Sequence, residues 1–184
     1  MNQHIASITK TFGSTVSFKK DTTLFHEGDQ CNGMLLVTDG SIKVIKYSDS
    51  GKEALLYRVT PDNLCILSVS CLIGNNFYNA EGIAESEIHG VYIPHPQFME
   101  LLNSDSQFRE FIFKNFAERI SDFIKKLDDI IFKSVKERLL DFINSSSHPA
   151  KMTHQEMAVE LGTSREVVSR LLKVLESEGL IKKD

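Results

Sequence analysis

In residues 104–132 the chain carries neither Gly nor Pro, and apolar side chains recur there at heptad spacing: Phe113, Phe116, Ile120, Phe123, Leu127 and Ile130. Nothing in this stretch breaks a backbone ladder, and an a/d seam sustained through more than two heptads predicts one long helix. Phe108, Ile112, Ile124 and Ile131 fall on a flanking face. A single helix cannot bury two apolar faces alone. One face is expected to pack on a neighbouring domain and the other on a second copy of the helix. The alternative is a helix sunk wholly in the core of its own chain. Three Phe in the seam make a tight two-stranded fit irregular.

Upstream, residues 1–103 read as β. Short apolar runs at 24–25, 34–37, 42–45, 54–59, 64–69 and 88–93 alternate with turn signals at Gly28-Asp29, Asp39-Gly40, Asp49-Ser50-Gly51 and Pro61-Asp62-Asn63. Regular short strands with many turns predict a barrel or sandwich, and about 100 residues suffice for one such core. Downstream of the long helix, a shorter one is expected over residues 134–143. The polar break Asn144-Ser145-Ser146-Ser147-His148-Pro149 is the expected linker.

Composition narrows the class. With 184 residues, 41% hydrophobic and 25% charged, the chain is neither disordered nor fibrous. No apolar run approaches the roughly 18 residues of a membrane span, and the first residues lack the apolar core of a secretory signal. Three Cys, an odd number, fit a reducing cytoplasm better than a disulfide scaffold. The net charge of −4 argues at first against nucleic acid. Yet residues 1–103 hold 7 basic and 11 acidic side chains, so the whole surplus lies there. Residues 104–150 and 151–184 are each neutral, which leaves room for a local basic face.

The strongest motif occupies residues 153–180, THQEMAVELGTSREVVSRLLKVLESEGL. Thr153 with Glu156 forms a capping box that opens a helix, Met157, Ala158 and Leu161 give it an apolar face, and Gly162 ends it. Thr163 or Ser164 caps the next helix, with Thr163-x-x-Glu166 a second possible box. Val167, Val168, Leu171, Leu172 and Leu175 supply its buried stripe. Helix, short Gly turn, helix is the helix-turn-helix pattern. The second helix then projects Arg165, Glu166, Ser169, Arg170 and Lys173. Arg suits guanine O6 and N7, Glu accepts from cytosine N4, and Ser bonds a base or a phosphate. Thr153 is added as a candidate DNA contact. The bland alternative is a solvated face with Glu166 and Arg170 as an i,i+4 pair.

These motifs, with Leu24-Phe25-His26-Glu27-Gly28-Asp29, Val37-Thr38-Asp39-Gly40-Ser41-Ile42-Lys43-Val44 and Gly162-Thr163-Ser164-Arg165-Glu166-Val167-Val168-Ser169-Arg170-Leu171-Leu172-Lys173, resemble the CRP/FNR family of bacterial transcription regulators. The resemblance runs from about Phe18 to Lys182. It implies an α+β fold: an N-terminal double-stranded, jelly-roll-like β-roll (1–103), a long dimerisation helix (104–132) and a C-terminal winged helix-turn-helix (133–184). It further implies a homodimer on double-stranded DNA with a palindromic operator, Glu166 and Arg170 on bases, and RNA polymerase as a partner. Glu166-x-x-Ser169-Arg170 is similar to the FNR branch, and the preceding Arg165 to the CRP branch.

Two departures bear on function. Cyclic-nucleotide binders hold the ribose with Gly-Glu and the cyclic phosphate with Arg-Ser or Arg-Thr. The corresponding residues 65–80 supply neither, and Tyr78 and Asn79 stand about where the Arg pair would be. An anion met by no cation in an acidic domain is unfavourable, so cAMP is not expected. An FNR-type iron–sulfur cluster would need four Cys. The second departure is that the sequence ends at Asp184, where a two-stranded wing normally follows, so the wing is expected to be truncated or absent.

For the effector, Cys65, Cys71 and Cys31 are redox or thiol-reactive candidates. Alternatively they are small core residues. Haem on a Cys or on His26, His89 or His95 is a further option, and a cupin-type metal is disfavoured because no His-x-His pair is present. No catalytic constellation or phosphate loop stands out. The expectation is a non-enzymatic regulator responding to a signal other than cAMP. The rival is a ligand-binding signalling module whose helix-turn-helix does not read DNA.

Overall fold

The computed structural model describes residues 3–49, 51, 53–61, 63–145 and 152–181. Its elements are α1 (Gln3–Phe12), β1 (Ser14–Phe18), β2 (Thr23–Phe25), β3 (Gly33–Asp39), β4 (Ile42–Tyr47), β5 (Glu53–Val59), α2 (Ile66–Gly74), β6 (Glu81–Ala84), β7 (Ile88–Pro94), α3 (His95–Ser104), α4 (Ser106–Phe132), α5 (Val135–Ser145), α6 (His154–Leu161) and α7 (Arg165–Ser177). They pack as two units: Met1–Lys46 with Leu56–Ser121, and Tyr47–Leu55 with Asp122–Asp184.

The strands form two sheets, β1-β7-β3 and β2-β6-β4-β5. β7 runs antiparallel to β1 and β3, and β6 antiparallel to β2 and β4. Alternation sets the faces on β5, where Leu55, Tyr57 and Val59 point inward and Leu56 and Arg58 less so, whereas β4 buries Ile45 as well as Ile42 and Val44. Gly40 turns the chain from β3 to β4 with φ 92°, and a Cβ there would strike the Glu87 carbonyl oxygen, so only Gly fits. The expected order of β-roll, long helix and helix-turn-helix is the one observed. Among the described residues no helix is long and apolar enough to cross a membrane.

One element differs in kind. The run 64–69 reads as a strand but leads into α2. Its buried residues Cys65, Ser68, Val69 and Leu72 follow a helical spacing that the apolar run concealed. Asn75 ends the helix in the left-handed region, φ 50°. The sequence reading also passed over α1, whose Ile5, Ile8 and Phe12 join the roll core.

The long helix begins two residues later than expected. α3 stops at Asp105, whose carboxylate accepts the Phe108 N–H at 2.8 Å and so caps α4. That bond, together with His4 Nε2 at 2.8 Å, holds the Asp105 carboxyl below the usual carboxylate range. The short helix is Val135–Ser145, one residue beyond its expected start and two beyond its expected end. The linker residues Ser146–Pro149, and everything after Ile181 where the wing was at issue, lie outside the described residues.

Phe108 and Ile112 are fully buried in the core that β3, β7, α1, α2 and α3 share, and Phe108 meets Phe98 edge-on at 5.9 Å. The seam behaves otherwise. Phe113 (53% exposed), Ile120, Leu127 (57%) and Ile130 are exposed, and Phe116 and Phe123 are half-buried. A helix sunk in its own core is therefore excluded. Ile124 and Ile131 are exposed as well, contrary to a flanking face packed throughout, because the core receiving that face reaches only to Phe116.

The other unit has its own core of Leu139, Met157, Ala158, Val168 and Leu175. Because Phe108 is a fully buried aromatic of α4 in the roll core, Phe108→Ala is expected to cost about 3–5 kcal/mol. A urea titration followed by circular dichroism would measure it.

Candidate functional site

Local capping builds the helix-turn-helix. Thr153 accepts the Glu156 N–H at 3.2 Å, while Glu156 accepts from the Thr153 N–H at 2.6 Å and hydroxyl at 2.8 Å. These bonds hold the Glu156 carboxyl below its usual range. The expected box is present, and the Thr153 hydroxyl is already engaged in it. Gly162, φ 62°, ends α6, its N–H bonding the Ala158 and Val159 carbonyls. Arg138 Nη1 on α5 donates to the Leu161 carbonyl at 3.0 Å, so the end of α6 is tied to the preceding helix.

Ser164, and not Thr163, caps α7: its hydroxyl accepts the Val167 N–H at 3.4 Å. Thr163 instead donates its backbone N–H to Ala158 at 2.9 Å as part of the turn, which displaces the second possible box. Val168 and Leu175 are buried, and Val167, Leu171 and Leu172 are half-buried, as the stripe requires. At 100° per residue, Glu166, Arg170 and Lys173 stand on the far side, with Ser169 and Arg165 at its edge. All but the half-buried Ser169 are exposed. Glu166 and Arg170 form no ion pair among the described residues. The Glu166 carboxyl is held below its usual range by its own backbone N–H, the Ser164 hydroxyl and nearby Arg165. One contact was not anticipated: His154 Nδ1 lies 2.8 Å from Ser169 Oγ. Sequence spacing gives no signal for it, because it joins two helices 15 residues apart.

The junction before this motif is also polar. Lys133 Nζ lies 2.8 Å from both Asp129 on α4 and Asp141 on α5, and Lys136 Nζ reaches Glu178 just past α7 at 2.6 Å.

The second candidate region is inside the roll. Cys31, Cys65 and Cys71 are all buried free thiols. Cys31 Sγ contacts Tyr78 Oη at 3.0 Å, and Tyr78 Oη contacts Ser68 Oγ at 2.9 Å. Cys65 Sγ is 3.6 Å from Tyr57 Oη, and Cys71 donates to the Phe77 carbonyl at 3.3 Å. Burial pushes the Cys71 thiol up to about 11 and raises Cys31 and Tyr78 too. Tyr78 stacks on Phe25, centroids 4.0 Å apart. A cavity of about 100 Å³ lies between Phe25, Cys65, Ser68, Tyr78 and Tyr92. A more open cleft of about 320 Å³ adjoins it, where Asp29, Gln30 and Asn32 add polar groups. Among the described residues, no Lys or Arg lines either. Lys46 is held by Glu27 and by the carbonyl of exposed Asn79, at 2.8 Å from the latter. Arg58 makes a bidentate pair with Glu85 at 2.7 and 3.0 Å. His26, His89 and His95 are scattered, and no group of three His, Cys, Asp or Glu among the described residues could hold a metal ion.

A β-roll with an internal cavity, joined by a long helix to a helix-turn-helix, is the plan of a DNA-binding transcription regulator. The cyclic nucleotide-binding domain model matches residues 15–105, and the Crp-like helix-turn-helix domain model matches residues 133–184. The chain is 28% identical to the cAMP-activated global transcriptional regulator Vfr of Pseudomonas aeruginosa, over 87% of this chain and 81% of Vfr. It is 26% identical to the cAMP-activated regulator CRP of Haemophilus influenzae, over 87% and 76%. A Crp/Fnr-family regulator from Eubacterium rectale superimposes with a TM-score of 0.80 at 28% identity, covering 100% of this chain and 88% of that one. The c-di-GMP responsive regulator CLP of Xanthomonas campestris shares the fold, TM-score 0.82 at 20% identity, over 100% and 96%. The chain belongs to the CRP/FNR family of transcription regulators.

Reactive thiols need an exposed, electropositive setting, and these have the reverse. Iodoacetamide at pH 7.5 is expected to leave all three Cys unmodified in the native chain and to label all three after denaturation, as read by intact mass.

Proposed function

We propose that the protein is a homodimer that reads a palindromic operator with α7 and responds through its roll to a signal other than cAMP. The observation that carries this reading is the display of Glu166, Arg170 and Lys173 opposite the buried Val168 and Leu175, on a helix whose start Ser164 and Gly162 fix. Arg170 bonds guanine bidentately, Glu166 accepts from a cytosine amino group, and Arg165 and Lys173 meet phosphates. An exposed carboxylate in the middle of that face would repel phosphates and therefore favours base reading over non-specific adhesion. Thr153, whose N–H and hydroxyl both donate to Glu156, serves the reader by fixing the start of α6.

Two observations support the remaining parts. The exposed seam of Phe113, Ile120, Leu127 and Ile130 is the stripe a second copy of α4 would cover. Among the described residues, neither the roll cavity nor the cleft that adjoins it is lined by a cation for a phosphate. A signal altering the packing around Phe108 and Ile112 would then pass along α4 as a shift between two arrangements of the dimer.

Arg170→Ala is expected to lose about 1–3 kcal/mol of binding to a duplex selected from a randomised pool, and cAMP is expected to leave wild-type binding unchanged. Fluorescence anisotropy across a salt series checks both; equal affinity for all sequences at physiological salt would mean the helix-turn-helix is not a reader. Leu127→Lys with Ile120→Lys should convert a dimer to a folded monomer in sedimentation equilibrium.

A further inference from the structure

The bond between His154 Nδ1 and Ser169 Oγ joins the first residue of α6 to the second turn of α7 at 2.8 Å. It is a side-chain bond across the motif, between an exposed residue and a half-buried one. A serine hydroxyl has one hydrogen and two lone pairs and rotates to suit its surroundings. An unconstrained Ser can therefore donate to a phosphate or a base acceptor as readily as it accepts, and it carries little sequence information.

We propose that His154 is a positioning residue that turns Ser169 into an acceptor, so that Ser169 selects a base-edge amino group. This rests on the reading of α7 as the DNA reader. A neutral imidazole carries its hydrogen on one nitrogen only. With that hydrogen on Nε2, Nδ1 accepts the Ser169 hydroxyl hydrogen, and Ser169 keeps only lone pairs for DNA. Adenine N6 and cytosine N4 present donors in the major groove, whereas phosphates and guanine O6 and N7 present only acceptors. The Nε2–H donates in turn to a phosphate oxygen, which offers no competing donor. Phosphate contact and base choice are thereby linked through one ring: docking on the backbone fixes the tautomer, and the tautomer fixes what Ser169 accepts from. Ser169 thus complements Glu166, which accepts on the same helix.

The test uses the full chain and a duplex selected by wild-type protein from a randomised pool, with each base pair then varied singly. Ser169→Ala is expected to relax preference at one position of each half-site by about three- to tenfold. His154→Ala should relax the same position, and the double variant should lose no more than either single, the signature of one unit. His154→Asn, whose side-chain oxygen occupies the place of Nδ1, should restore the preference. Melting temperatures would show that all variants fold. Additive losses, losses at different positions, or no rescue by Asn would overturn the proposal. Arg170→Ala separates the two levels: if it abolishes the specific gap while His154 and Ser169 act independently, the reading of α7 stands and only the pairing falls. If wild type shows no specific gap, both fall.

Discussion

The structure depends on the burial of Phe108 and Ile112 in the roll core. These two side chains anchor the first turns of α4 among Phe98, Leu101, Ile5 and Val69. Cores are close-packed, so an anchor of this kind transmits displacement and does not absorb it. The same helix continues to Phe132 with Phe113, Ile120, Ile124, Leu127, Ile130 and Ile131 exposed. One helix is thus committed to the roll at one end and left with an unmatched stripe along the rest. That asymmetry is the basis on which the proposed dimer and the proposed transmission of a signal along α4 rest.

Much of this was legible in the sequence because local chemistry decided it. The Thr153–Glu156 box and Gly162 are short-range devices, and the structure uses them as their spacing implies. The display of Arg170 and Lys173 follows from the buried stripe, since a helix has only one other side. What escaped reading was decided by tertiary contact. Residues 64–69 resemble a strand until Ser68 turns inward to meet Tyr78. Asp105 ends one helix and starts another through its carboxylate, which periodicity cannot show. The choice of Ser164 over Thr163 as cap turned on a single residue's backbone, because Thr163 was taken into the turn. The partnership of His154 with Ser169 needed α6 and α7 to be docked before the two could meet.

Charge proved informative only when divided. The chain's −4 lies wholly in residues 1–103, and within that segment Lys46 is paired with Glu27 and Arg58 with Glu85. What remains inside is a neutral network of Cys31, Tyr78 and Ser68 beside a small apolar void. Burial raises Cys31 and Tyr78, so at neutral pH these groups stay protonated and the network keeps its hydrogens. Such a network is indifferent to charge but sensitive to displacement, because moving the Tyr78 ring off Phe25 would strand the hydroxyl that Cys31 and Ser68 share. Ser68 lies on α2, and α2 contributes Val69 and Leu72 to the core that holds Phe108. Tyr78 is thus tied through Ser68 to the same packed core that anchors α4.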